Sequence, residues 1–212
     1  MKQPILKITV AFISILMIGF PTLSQEKRLD NPAQFKEGFV KTASNTSTIQ
    51  ADFIQEKHSS YFQQPLISKG KFAYDQSGKM RWEQTIPESY IMLITGNTLK
   101  IKKNGKEETH DLSTNKYLTY LKLLMVGTVN GDLLNSTQFT YTYYKNGSNY
   151  EVELVPINKK MKSMFSGIRL KFSASFRLES MQMKESSGDY TLIKFVNTEF
   201  NKVISSSKFT TF

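Results

Sequence analysis

Residues 49–110 read IQADFIQEKHSSYFQQPLISKGKFAYDQSGKMRWEQTIPESYIMLITGNTLKIKKNGKEETH, and the spacing of apolar side chains along them decides the fold. Ile49, Ala51 and Phe53 fall on one face of an extended chain and Gln50 and Asp52 on the other, with Ile54 the exception. Leu66, Ser68, Gly70, Phe72 and Tyr74 alternate in the same way, and Met80, Trp82, Gln84 and Ile86 follow. A period of two marks strands with one buried face, because successive side chains leave a strand on opposite sides. Tyr90 to Thr95 is apolar on both faces, so a central strand covered on both sides is expected there. Ser77-Gly78, Pro87, Gly96-Asn97 and Asn104-Gly105 punctuate the runs. The last two dipeptides accept positive φ and suit two-residue hairpins, and connections this short leave room only for antiparallel neighbours. An antiparallel meander is therefore expected over residues 49–110.

A second meander is expected from Thr137, with strands over 138–145, 150–156, 167–173, 177–184 and 190–198. Its turns fall at Asn146-Gly147 and Ser187-Gly188, and a last short strand is expected over 208–212. On the N-terminal side, Asp30 or Asn31 can cap a helix whose first turn holds Pro32, where a missing amide has no bond to lose. Phe35, Phe39, Val40 and Ala43 make its apolar stripe, and Asn45-Thr46-Ser47-Thr48 stops it. Between the meanders, Ser113 or Thr114 can cap a helix striped by Tyr117, Leu118, Tyr120, Leu121, Leu124 and Met125. Gly127, Asn130 and Gly131 interrupt it, and Leu133-Leu134 closes a short second piece. Such an insert either plugs or covers a barrel, or is an ordinary core helix; the pattern fits each. No repeat, low-complexity stretch or linker divides the chain, so residues 25–212 read as one mostly β, α+β domain.

The first 24 residues read as a secretory signal. Lys2 and Lys7 stand before 13 uncharged apolar residues, Ile8 to Phe20, and Thr22-Leu23-Ser24 sets small residues before a cleavage after Ser24. The run falls short of the roughly 20 residues of a transmembrane helix, which leaves an uncleaved anchor as the alternative. No cysteine follows to be acylated, and none occurs in the chain, which excludes a disulfide scaffold and a thiol nucleophile. The 28 basic and 18 acidic residues give +10; loss of Lys2 and Lys7 leaves 26 basic residues. These are scattered, with Lys100, Lys102, Lys103 and Lys106 at one hairpin and Lys159, Lys160 and Lys162 elsewhere. Without an arginine-rich helix or a base-stacking aromatic motif, this is a solvated basic surface with no nucleic-acid partner.

Catalytic material is thin. The two histidines are His58, in Glu56-Lys57-His58-Ser59, and His110, in Thr109-His110-Asp111. No Gly-x-Ser-x-Gly elbow accompanies them, and neither suggests a triad or a metal site. Asp52, Glu56, Glu83, Glu107 and Glu108 offer no reason to pair as acid and base, and phosphate-cradling glycine loops are absent. Neither an enzyme, a metal nor a cofactor is expected. Apolar material is plentiful instead: 26 aromatic residues, and seven methionines beyond the signal at positions 80, 92, 125, 161, 164, 181 and 183. Methionine and aromatic side chains reshape around irregular apolar guests, although a well-packed core uses the same residues.

The order of short motifs separates these alternatives. Phe53-x-Gln55, Gly70-x-Phe72, Arg81-Trp82-Glu83, Pro87-Glu88 and Gly96-Asn97-Thr98-Leu99 follow one another, and Leu192-Ile193-x-Phe195, Asn197-Thr198-x-Phe200-Asn201-x-x-Ile204 and Phe209 come downstream. In this order they resemble the LolA family of periplasmic lipoprotein carriers, over nearly the whole chain after the signal. The resemblance implies an incomplete antiparallel β-barrel, covered by an N-terminal helix and a helical lid insert, around an apolar cavity. It implies a monomer in the periplasm that takes acylated lipoproteins from an inner-membrane ABC-type transporter and releases them to an outer-membrane acceptor. Where the family carries an Arg-Pro associated with holding the lid closed, this chain has Gln76-Ser77.

On that resemblance, alternation places Phe53, Phe72, Met80, Trp82, Met92, Ile94, Leu99, Phe139 and Ile168 towards the cavity, with Tyr117, Leu121 and Leu124 as the lid's plug. A one-residue slip would turn a whole strand to the other face. The rival functions are a binder of another lipid or an acyl-ligand sensor on the same fold, a periplasmic esterase, and a membrane-associated scaffold.

Overall fold

The computed structural model describes residues 26–114 and 116–212, without the side chains of residues 116 and 117; the signal expected over residues 1–24 lies outside them. The described elements are β1 (Lys27–Arg28), α1 (Ala33–Ser44), β2 (Thr48–His58), β3 (Leu66–Asp75), β4 (Lys79–Ile86), β5 (Tyr90–Thr95), β6 (Thr98–Lys103) and β7 (Lys106–Asp111). There follow α2 (Lys116–Met125), α3 (Gly127–Asn130), a 3-10 turn (Asp132–Asn135), β8 (Phe139–Asn146), β9 (Asn149–Pro156), α4 (Lys159–Lys162), β10 (Gly167–Phe172), β11 (Leu178–Lys184), β12 (Tyr190–Phe200) and a final 3-10 turn (Ser206–Phe209).

All twelve strands form one antiparallel sheet in the order β1-β8-β9-β10-β11-β12-β2-β3-β4-β5-β6-β7. Each meander is contiguous, and the long strands β12 and β2 pair to join them, Phe195 opposite Phe53 and Ile193 opposite Gln55. β7 and the β1–β8 edge do not pair, so the curved sheet stays open: an incomplete barrel. The hairpins follow turn chemistry. Lys103 opposes Lys106 across Asn104 and Gly105, whose φ values of 51° and 75° are those of a two-residue type I′ turn.

One face of the sheet is apolar over its central strands and turns polar at the β7 edge, where His110 and Glu108 stand opposite Leu99 and Ile101. Register puts Tyr74, Met80, Ile94 and Leu99 in one row and Phe195, Phe53, Gly70 and Gln84 in another. α1 covers the β8–β10 side, where Phe35 contacts the rings of Tyr143, Tyr150, Phe172 and Phe176. Pro32 itself stands at the N-cap, its carbonyl accepting from the Lys36 amide (2.9 Å), and neither Asp30 nor Asn31 takes that position; Asn31 Oδ1 accepts from the Ala33 amide (2.9 Å) just ahead of the helix. Val40 does not join the stripe and is 54% exposed, because the contact needs only Phe35 and Phe39, one turn apart.

Three expectations change. Residues 208–212 form no strand: both edges of β4 and of β5 are occupied, and Asn201 turns the chain away at φ 59°. The segment lies across the outer face instead, where Arg81 Nη1 donates to the carbonyls of Lys208 (3.2 Å) and Thr211 (2.7 Å). Phe209 and Leu93 line one groove there, so β5 is covered on both sides at its centre, Leu93 outward and Ile94 inward. Second, the hydroxyls of Ser113 and Thr114 bond back to Asp111 (2.6 and 2.8 Å), and α2 starts at Lys116, later than either cap candidate implies. Third, residues 159–162, unassigned by periodicity, form a helical turn capped by Asn158 and anchored by fully buried Met161.

Candidate functional site

The insert lies over the open side of the apolar face as α2, α3 and the first 3-10 turn. Gly131, at φ 95°, ends α3 in the left-handed region that glycine adopts without strain and reverses the chain into the Leu133-Leu134 turn. Beneath the insert is an apolar chamber of about 170 Å³. Phe72, Met80, Trp82 and Met92 form its wall on β3–β5, and Met181, Met183, Ile193 and Phe195 face them from β11 and β12. Leu121, Leu124 and Met125 of α2 line it from above and leave it partly open. Five of the methionines therefore converge on one space, the plasticity that methionine-rich walls provide.

The other sequence-assigned residues share this face but pack beside the chamber. Phe53 stacks on Trp82 with ring centroids 3.8 Å apart, flooring the indole. It lies where a side chain on Gly70 would be: a Cβ there would stand 2.6 Å from the Phe53 ring and 2.0 Å from the Glu83 carbonyl oxygen. Ile94 and Leu99 are fully buried beside Met80. Phe139 stacks on Phe165, and Ile168 lies between Leu154 and Met183 in the register, one strand beyond the wall residue Met183. Leu121 and Leu124 reach the chamber, whereas the side chain of Tyr117 lies outside the described residues. Sequence reading missed Tyr90, Leu178, Met181, Met183, Ile193 and Phe195 as wall residues. The alternation of β11 and β12 is visible in the sequence, but their position beside β2 arises from pairing across some 140 residues.

Polar bonds fasten the cover at its margins. Lys122 Nζ donates to Asn97 Oδ1 in the β5–β6 turn (2.9 Å), and Thr119 Oγ1 donates to the Leu112 carbonyl (2.9 Å). Tyr141 Oη bonds the carbonyls of Leu133 (2.8 Å) and Ser136 (2.5 Å), and burial, with Tyr143 beside it, pushes its phenol up to about 12. Gln76 and Ser77 take no part in these bonds: the Gln76 amide donates to the Ser47 carbonyl (2.8 Å) and the Ser77 amide to Asp75 Oδ1 (2.8 Å). His58 stacks on Tyr190 and meets Glu56 (3.3 Å), and His110 meets exposed Glu108; neither lines the chamber.

The family model described as outer membrane lipoprotein carrier protein LolA matches residues 44–211. An outer-membrane lipoprotein carrier protein of Dechloromonas aromatica is 28% identical over 169 residues, 78% of this chain and 77% of its own. One from Azotobacter vinelandii is 23% identical over 184 residues, 84% and 86% of the two chains. The Pseudomonas aeruginosa relatives are 24% identical over 142 residues, and this chain spans 65% of their length. Among solved structures, a LolA superfamily protein from Nitrosomonas europaea aligns over 81% of this chain and 94% of its own, with 10% identity and a TM-score of 0.43. With the family model covering most of its length, this chain belongs to the LolA family.

Proposed function

We propose that the protein carries acylated lipoproteins across the periplasm, from an inner-membrane ABC-type transporter to the outer membrane, with the acyl chains in the chamber under α2. The supporting observation is the chamber itself, walled by methionine and aromatic side chains and overhung by Leu121, Leu124 and Met125. In this role Phe72, Met80, Trp82 and Met92 touch the acyl chain, Phe53, Ile94, Leu99, Phe139 and Ile168 hold the face behind them, and Tyr117, Leu121 and Leu124 form the lid. The protein works as a monomer and performs no chemistry on its cargo.

Size and energy together define how such a carrier works. An apolar cavity of about 150 Å³ holds one benzene, so a partly open chamber of about 170 Å³ takes a short length of chain, and burying a whole acyl group requires the lid to move. Burying about 15 methylenes yields on the order of 12 kcal/mol at about 0.8 kcal/mol each. Displacing the lid exposes the apolar side chains of Leu121, Leu124 and Met125, and that cost subtracts from the gain, which keeps release to an acceptor possible. Depletion of the protein is expected to strand lipoproteins at the inner membrane; their normal arrival at the outer membrane during depletion would refute the carrier role.

A further inference from the structure

A second, smaller chamber of about 50 Å³ lies by the C-terminal half of α1. It shares Phe72, Thr128, Val129, Leu178 and Phe195 with the main chamber, so the two meet at a common partition. Its charged lining residue is Arg177, accompanied by the threonines Thr42, Thr46 and Thr198. Two backbone irregularities converge there. Phe176, just before Arg177, has φ 60°, a left-handed conformation that costs a bulky side chain free energy. Gly38 accommodates it, since a Cβ at that position would stand 2.4 Å from the Phe176 ring. On the facing strand the register of β12 shifts between Val196 and Glu199, with Asn197 at φ 52° and Thr198 lining the chamber. Bulges of this kind re-aim side chains at binding sites.

The result is a cation without an anion. The Arg177 guanidinium carbon stands 3.6 Å from the Phe200 ring centroid, which covers one face of the group. Among the described residues its buried Nη1 has no hydrogen-bond partner, and no carboxylate pairs with the group. A half-desolvated guanidinium presents a donor fork whose natural complement is a carboxylate or phosphate.

We infer that the chamber at Arg177 and Thr198 receives the anionic oxygen head group, carboxylate or phosphate, of a single-chain amphiphile whose tail lies in the main chamber. This rests on the main chamber being an acyl-chain site, but the head-group preference can fail separately. The test titrates the full-length protein with hexadecanoate, hexadecyl phosphate and hexadecanol, read by the emission of Trp82, the single tryptophan, which lines the main chamber. At least one anion is expected to bind about tenfold more tightly than the alcohol, the value of one charge-assisted hydrogen bond, and the two anions tell carboxylate from phosphate. Arg177→Met is expected to erase that preference while leaving hexadecanol binding unchanged, and Arg177→Lys to keep part of it. Equal binding of all three amphiphiles by the unmodified protein, which needs no variant to fold, overturns the head-group site alone. A preference that persists in Arg177→Met overturns it as well, and failure of all three to bind removes the acyl chamber with it.

Discussion

Tyr141→Phe is expected to tighten acyl binding by loosening the lid. The phenol has one proton to give and two carbonyls to give it to, Leu133 and Ser136, both at the C-terminal end of the cover. Removing it deletes that bond and leaves a carbonyl short of a donor, a loss of about 1–2 kcal/mol. At about 1.4 kcal/mol per factor of ten, the open population rises about tenfold. A ligand that binds only the open form gains apparent affinity by the same factor for as long as the closed form predominates. Hexadecanol titration followed by Trp82 emission measures this directly. Hydrogen exchange should show faster opening of amides in α2 and α3, with β9 and β10 still protected. Unchanged or weaker hexadecanol affinity in a normally folded Tyr141→Phe protein would refute lid displacement as the entry step. The pH dependence adds a second readout. An unfolded tyrosine titrates near 10, and burial of Tyr141 raises the folded value to about 12. The unfolded chain therefore loses its proton first, and stability present below about pH 10 is lost between about pH 10 and 12, a component the phenylalanine variant lacks.

Other substitutions separate the chamber from the core. Leu121→Glu, at a half-buried lid position, removes apolar burial that holds the lid down, so like Tyr141→Phe it should tighten hexadecanol binding with little change in melting temperature; weaker binding in a folded protein would count against lid displacement. Met80→Glu should fail to fold at neutral pH, because Met80 is fully buried and a carboxylate there has no partner; a folded Met80→Glu protein that still binds acyl ligand would remove Met80 from the wall. Gly70→Ala should lower stability by about 2 kcal/mol or more, since the new methyl would meet the Glu83 carbonyl, which the β3–β4 ladder holds in place; thermal melting checks it. The Glu56 carboxyl is held below its ordinary value by Lys194 (2.6 Å) and then by His58, so its contribution is present above about pH 4.3 and is lost as pH falls through the lower folded value. Acid denaturation of Glu56→Gln should show a flatter slope below that point.

Much of this molecule follows from local sequence. Alternation in residues 49–110 and the hairpin dipeptides give strands, neighbours and an apolar face, because side-chain direction and φ tolerance are properties of the residue and its immediate spacing. Met80, Trp82 and Met92 can be placed on that face without coordinates for the same reason. The tertiary structure decided which of those residues meet empty space. Alternation assigns Phe53 to the chamber, yet the missing Cβ of Gly70 lets it sink beneath Trp82. Ile94 and Leu99 share the row of Met80 but pack fully against their neighbours, while Met181, Met183, Ile193 and Phe195 complete the wall only because β12 pairs with β2. The same pairing, with the bulge at Asn197, brings Thr198 towards Arg177 from a strand that reads as an ordinary alternation. A side chain's face is set by the period of its own strand, but whether that face meets another side chain or a void depends on residues brought alongside from far along the chain.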